Sequence, residues 1–259
     1  MTAQCAHGEG YAPIAGGYPR RFDEAASAQM ERFVVDFGRM YRERNDALRE
    51  ATNAHHVALL QLYAAAGLKD DDTGVHIVRI GFLAEALALF MGQDPAYARM
   101  LRKAAPMHDI GKIGTPDSVL KKPGPLTPEE RVVMNGHAAM GAEILGRSNI
   151  PVFCMAAELA LTHHERYDGR GYPAGLCGEA IPLSGRITAV VDFFDALTMD
   201  RVYRPAFTVQ RALEMLAAER GAAFDPVVVD ALLAHADEMN ELRCKITREC
   251  PSFDALIDS

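Results

Sequence analysis

The sequence predicts an all-α protein, a helical bundle preceded by one long coiled-coil-like helix, and three observations carry that reading. Helix start signals recur along the chain: an Asp-Pro pair at Asp94-Pro95, a capping box at Thr127-Pro128-Glu129-Glu130, and a second Asp-Pro pair at Asp225-Pro226. No run alternates apolar and polar residues at the strand period. From Phe22 to about Leu68 no proline interrupts the chain.

Each element follows from local chemistry. Residues 1–21 are rich in Gly, Ala, Pro and Tyr without periodicity and read as a mobile leader. Residues 22–68 place Val34, Phe37, Tyr41, Arg44, Leu48, Ala51, His55, Ala58 and Leu62 on the alternating three-and-four step of a heptad seam, with polar breaks at Arg44 and His55. An exposed seam of this kind predicts a dimerisation helix. The acidic run Lys69-Asp70-Asp71-Asp72 opens the main domain, expected over 69–243. Helices are predicted at Val75–Phe90, Pro95–His108, Pro128–Gly146, Val152–Arg166, Ser184–Met199, Val209–Arg220 and Pro226–Leu242, followed by a tail at 244–259. Ile110–Pro125 and the Gly/Pro-rich stretch Asp168–Pro182 are irregular, and loops of that length on a helical scaffold usually carry function.

Composition narrows the function. Hydrophobic residues make up 49% and charged residues 24%, ordinary globular usage that excludes a disordered chain. A net charge of −8 repels polyanions and argues against DNA or RNA as a partner. The five cysteines are odd in number and never spaced as CxxC, which argues against a disulfide framework or a thiolate zinc site. They read as reduced thiols of a cytoplasmic protein, and no apolar run reaches membrane-spanning length.

The chemistry lies in the histidines. His76, His108, His137, His163 and Asp192 are separated by 32, 29, 26 and 29 residues, one candidate ligand per helix-plus-loop unit. In a bundle, residues at matching heights on successive helices converge on one interior point. His108-Asp109 and His163-His164 are adjacent pairs, and neighbours on a helix diverge by about 100°, so each pair serves two centres or spans a shared one. Imidazoles and carboxylates without thiolates suit iron, manganese or zinc. Lys112 follows within His108-Asp109-Ile110-Gly111-Lys112-Ile113-Gly114, where the glycines are expected to let the backbone turn tightly and the lysine to face a phosphate. Arg201 and Arg204 stand at helical i,i+3 spacing, placed to clamp phosphate oxygens.

These residues together spell a known pattern. From Asp72 to about Ala236 the chain resembles the HD-GYP family of cyclic di-GMP phosphodiesterases: His76 with Arg79, His108 to Gly114, Pro116-Asp117, His137, His163-His164-Glu165, Asp168-Gly169, Gly171-Tyr172-Pro173, Asp192 and Asp195 to Thr198 fall in family order. HDIGKIG, HHE and GYP at these spacings are specific where a lone HD dipeptide is not. The resemblance implies an HD-type helical bundle holding two or three divalent metal ions, iron or manganese, and hydrolysis of a 3′–5′ phosphodiester of cyclic di-GMP to linear pGpG and onward to GMP. It implies His76, His108, Asp109, His137, His163, His164 and Asp192 as metal ligands, with Asp109 bridging. Lys112, Arg201 and Arg204 would hold phosphate, with Tyr172 at the mouth of the site. Asp72 takes the place where three-metal members carry glutamate, one methylene longer. By the same resemblance the chain looks like the output end of a signalling protein, with an upstream sensor or receiver domain and diguanylate cyclases as partners. Two alternatives stand beside this: a catalytically inactive cyclic-dinucleotide sensor that docks partners, and another HD phosphohydrolase acting on nucleotides.

Overall fold

The computed structural model describes residues 24–69, 74–200 and 205–257. The leader expected at 1–21 therefore lies outside the described residues, as do Asp72, Arg201 and Arg204. Among the described residues the regular structure is helical throughout, ten α-helices and four 3₁₀ turns, with no strand and only two isolated bridges. None of these helices is long and apolar enough to cross a membrane.

The chain divides into two units, residues 1–54 and 55–259. In the first, the described residues form the start of α1 (Glu24–Lys69). Phe33, Val34, Phe37, Tyr41 and Leu48 are each more than half exposed there.

The second unit begins inside the same helix, at His55, because the last turns of α1 belong to a core. Leu59 and Tyr63 are buried, and Ala58 and Leu62 pack against that core. The Tyr63 hydroxyl donates to the Lys103 carbonyl at 2.6 Å. The heptad seam is thus not one continuous free face: its final two positions are taken up within the domain.

At the centre runs α2 (Gly74–Phe90), apolar on every side and therefore interior. It packs on α3 (Pro95–Ala104), α7 (Leu183–Leu197), α9 (Pro226–Ala234) and α10 (Ala236–Glu249). The single turn α4 (Asp117–Leu120) lies on α5 (Pro128–Leu145), which pairs with α6 (Pro151–Thr162); α6 packs in turn on α3 and α7, and α8 (Val209–Ala218) closes against α7 and α9. The start signals act as capping chemistry requires. Asp94 accepts from the Ala96 and Tyr97 amides, Thr127 and Glu130 form the reciprocal box, and Asp225 accepts from Val227.

Several boundaries differ from expectation: α3 ends at Ala104, four residues before His108, where a 3₁₀ turn takes over, and the segment expected to be irregular carries the short helix α4. The helix expected over 226–242 breaks at His235 (φ −120°, ψ 32°) into α9 and α10, with neither Gly nor Pro at the break. The His235 ring stacks on Phe90 at 4.0 Å, and the acid pair Asp237-Glu238 fills the first turn of α10, where negative charge is favoured. The expected tail at 244–259 is packed through its described residues: α10 continues to Glu249, Leu256 is buried, its carbonyl accepts from Arg102 Nε at 3.1 Å, and Phe253 lies against Tyr63. Finally, α6 ends at Thr162, before the histidine pair it was expected to carry.

Candidate metal centre

Three helices and two connecting segments build the site. His76 sits in the first turn of α2, His137 in the middle of α5, and Asp192 in the second half of α7. His108 and Asp109 occupy the link between two 3₁₀ turns, Ala105–Met107 and Ile110–Gly114. His163 and His164 follow the end of α6.

Close backbone approach is what brings Asp109 to α5. A Cβ on Gly111 would lie 1.9 Å from the His137 carbonyl oxygen, so only glycine allows the Ile110–Gly114 turn to press on that helix. The residue serves contact between segments, not the tight turn expected from sequence.

The candidate ligands gather in two groups, Asp109 with His137, His163 and His164, and His76 with His108 and Asp192; within each group the donor atoms lie within 4.8 Å of one another. Asp109 reaches both. Its Oδ1 is 3.3 Å from His137 Nε2 and 3.6 Å from His163 Nε2, while its Oδ2 is 3.2 Å from His108 Nε2. Asp192 Oδ1 lies 3.7 Å from His76 Nε2 and 3.8 Å from His108 Nε2. The two adjacent pairs behave differently. His108 and Asp109 divide between the groups, whereas His163 and His164 join one group with ring centroids 4.0 Å apart, because the chain has left the helix and the 100° divergence no longer applies.

Each buried ring is oriented through its other nitrogen. Nδ1 of His108 donates to the Ala105 carbonyl at 2.9 Å, that of His137 to Met134 at 2.7 Å, and that of His163 to Leu159 and Ala160 at 3.1 and 3.0 Å. His76 uses a carboxylate instead, Asp195 Oδ2 at 2.7 Å. A donor bond at Nδ1 leaves the Nε2 lone pair facing the interior, the arrangement that metal-binding histidines adopt.

Nε2 of His108, His137 and His163 and Oδ1 of Asp109 are buried without a hydrogen-bond partner. An unmatched buried polar atom costs about 1–3 kcal/mol, and four converging on neighbouring points form a donor set that a cation between them would match. The residues present fit a divalent metal centre. Protonation agrees in part: burial, helped by neighbouring histidines and opposed by Asp109, holds His163 and His164 below the ordinary histidine value and favours the neutral, ligating form. For His108 burial acts the same way, but Asp109 and Asp192 outweigh it and raise the group to about 9. Burial would raise Asp109, yet Lys112 and His108 hold it well below the usual carboxylate range.

Around the centre stand the other predicted residues. Lys112 Nζ is 2.8 Å from Asp109 Oδ2. Tyr172 stacks on His164, centroids 4.8 Å apart and planes 27° apart. Its loop is held by Glu165, a buried carboxylate that accepts from the Ala174 amide at 2.7 Å and the Leu176 amide at 3.0 Å. Gly171 lies so close to this turn that a Cβ would sit 2.3 Å from the Arg166 amide.

Sequence reasoning assigned no role to Asp195, Arg79 or Glu165, though all three stood in the family pattern. Asp195 is fully buried and binds Arg79 Nε at 2.6 Å and Nη2 at 2.9 Å as well as His76. The signal was present as two i,i+3 pairs, His76 with Arg79 and Asp192 with Asp195, each of which sets a candidate ligand and one member of the cross-helix His76–Asp195–Arg79 network on the same helical face.

Known proteins resemble this chain in the same region. A family model described as HD domain matches residues 66–228. A cyclic di-GMP phosphodiesterase of Vibrio cholerae is 48% identical over 200 residues, 71% of this chain and 40% of that protein. The cyclic di-GMP phosphodiesterase response regulator RpfG of Xanthomonas campestris is 43% identical over 196 residues, 76% of this chain and 52% of its own length. A 3′3′-cGAMP-specific phosphodiesterase of Vibrio cholerae is 37% identical over 232 residues, 89% of this chain and 44% of its own. The chain thus spans about half the length, or less, of these relatives. Among solved structures, a cyclic GMP-AMP specific phosphodiesterase of V. cholerae superposes with a TM-score of 0.55 at 17% identity, covering 74% of this chain and 53% of that one, a likeness of fold.

Proposed function

The chain belongs to the HD domain family, of the HD-GYP type, and from that premise we propose that it is a metal-dependent phosphodiesterase hydrolysing the 3′–5′ phosphodiester of cyclic di-GMP to linear pGpG, with a second cut to GMP. The observation that carries this reading is the pair of histidine groups joined through the two oxygens of Asp109.

In this reading His137, His163 and His164 would hold one divalent ion and His76, His108 and Asp192 a second, with Asp109 placed to serve both. Iron or manganese suits these ligands, and Asp72 is the carboxylate that would support a third ion. The bound ions supply a water acidic enough to ionise near neutral pH and neutralise the charge of the phosphate. The protein's own residues do the rest. Their Nδ1 bonds keep the rings aimed before any ion arrives, so the site needs little reorganisation on binding. Lys112, already at Asp109, offers ammonium protons to the non-bridging phosphate oxygens as charge develops on them. Tyr172, laid over His164, covers that ligand and excludes solvent from one side. Arg201 and Arg204 take further phosphate oxygens.

A second substrate, 3′3′-cGAMP, is favoured by the relative of that specificity that aligns with 89% of this chain. The wider setting follows the same reading: a cytoplasmic chain with a leader at 1–21, a helical linker at 22–68 that pairs two copies, a catalytic domain from 69 onward, and upstream sensor or receiver domains and diguanylate cyclases as partners. Anaerobic purification with elemental analysis, then chromatography of the products formed from cyclic di-GMP, tests metal, substrate and endpoint together. A protein that holds two divalent ions per chain and releases pGpG supports the reading, and a metal-loaded protein that leaves cyclic di-GMP intact overturns it.

A further inference from the structure

A cavity of about 620 Å³ opens beside His163 and His164, within the size range of small-molecule sites. Its lining splits by chemistry. Ala189 and Phe193 from α7, Met215 and Ala218 from α8, and Phe224 make an apolar wall, with the Phe193 and Phe224 rings 4.9 Å apart. Arg166, Arg170 and Glu219 line it as well.

The two arginines are not equivalent. Arg166 is committed, bonding Asp168 through Nε at 3.2 Å and Nη2 at 2.9 Å and reaching Glu219 at 3.3 Å. Arg170 is anchored only by its backbone amide, which donates to Asp168 at 3.0 Å; its guanidinium makes no hydrogen bond or ion pair among the described residues. A guanidinium whose side chain makes no hydrogen bond and a carboxylate with acceptor capacity beyond Arg166 therefore line, with apolar side chains, a cavity that adjoins His163 and His164.

That combination distinguishes purines. Guanine presents acceptors at O6 and N7, the pair that a guanidinium binds bidentately, and donors at N1 and the exocyclic N2, which a carboxylate accepts. Adenine in the same place sets its amino group against the guanidinium and its N1 acceptor against the carboxylate. Such mismatches leave polar groups unpaired, the strongest basis for rejecting a ligand. Resting on the cyclic dinucleotide reading above, we propose that this cavity receives one guanine base of the substrate and that Arg170 and Glu219 select guanine over adenine.

The test uses the full chain loaded with Mn²⁺. Calorimetric titration with GMP and with AMP compares two ligands whose phosphates are alike, so any difference reports the base. GMP is expected to bind about tenfold more tightly than AMP, and Arg170→Ala and Glu219→Gln are each expected to bring the two within about threefold. In parallel, the kcat/KM ratio for cyclic di-GMP over cyclic di-AMP should fall about tenfold in each variant while hydrolysis of bis(p-nitrophenyl) phosphate stays at the wild-type rate. Equal binding of GMP and AMP to the wild type, no binding of either, or full discrimination retained by both variants would overturn the proposal. If cyclic di-GMP is not cleaved but GMP discrimination maps to these two residues, the substrate reading fails and the guanine pocket stands.

Discussion

Replacing Asp195 by Asn separates the support of the metal centre from its ligands. The side chain keeps its volume, so no cavity forms, but the buried Arg79 guanidinium loses its counter-charge and His76 loses its carboxylate acceptor. Removing one partner of a buried pair costs about 3–5 kcal/mol. For a chain of this size each kcal/mol lowers Tm by about 2–4 °C, so the metal-free variant should melt about 6–20 °C below wild type. Metal affinity should also fall about 10–100-fold, the usual consequence of losing the group that orients a ligand histidine. The pH dependence has a definite sign. Burial raises the Asp195 carboxyl, but His76 and Arg79 hold it below its ordinary value. Its contribution is therefore complete above the unfolded carboxylate pKa of about 4 and is lost as pH falls further. The gap in Tm between wild type and variant should be full at pH 7 and shrink below about pH 4. Scanning calorimetry on metal-free protein and a metal titration give both quantities. A variant that melts within about 2 °C of wild type and binds metal as tightly would refute the role assigned to this network.

Asp109→Ala should abolish cyclic di-GMP hydrolysis while circular dichroism shows unchanged helicity, since the residue joins two ligand groups and does not fill the core; turnover at the wild-type rate would remove it from the centre. Arg204→Ala should leave metal content intact, because a guanidinium cannot coordinate a cation, and should lower kcat/KM by about one to two decades for one charge-assisted contact. Loss of metal together with activity would place Arg204 in the scaffold instead. Removal of residues 1–54 should convert a dimer into a monomer that still binds metal; light scattering of the full chain as a monomer at micromolar concentration would refute the pairing. The cut falls after Ala54 because Leu59 and Tyr63 are buried in the second unit, and a longer deletion would open its core.

The helices were legible because their starts are chemical: Asp94, Thr127 and Asp225 are side-chain acceptors that any reader of the sequence can see. Their ends were less so. The break at His235 involves no Gly or Pro, and the end of α6 at Thr162 is set by where the histidine pair must point, a tertiary demand that local propensity does not encode. The packing of Leu256 against the domain depends on the distant Gly81 having no side chain to block it, and such a match of shapes far apart in the chain has no local signature.

The same distinction explains which part of the site could be read. Every proposed ligand is a side chain with a name, so a regular spacing of His and Asp could point to the residues that gather in the two groups. The groups that aim those ligands are mostly anonymous. Of the four buried rings bonded at Nδ1, three donate to backbone carbonyls of their own preceding turn, which Ala105, Met134, Leu159 or Ala160 would supply whatever their side chains were. Only His76 lies too near the start of its helix to have a carbonyl three or four residues back within α2, and it takes a side-chain acceptor from another helix. Asp195 is the one support among these four whose side chain makes the bond, which is why it sits in a sequence pattern while the other three supports do not: the bonds at Ala105 and Met134 are accepted by the backbone and ask nothing of the side chain.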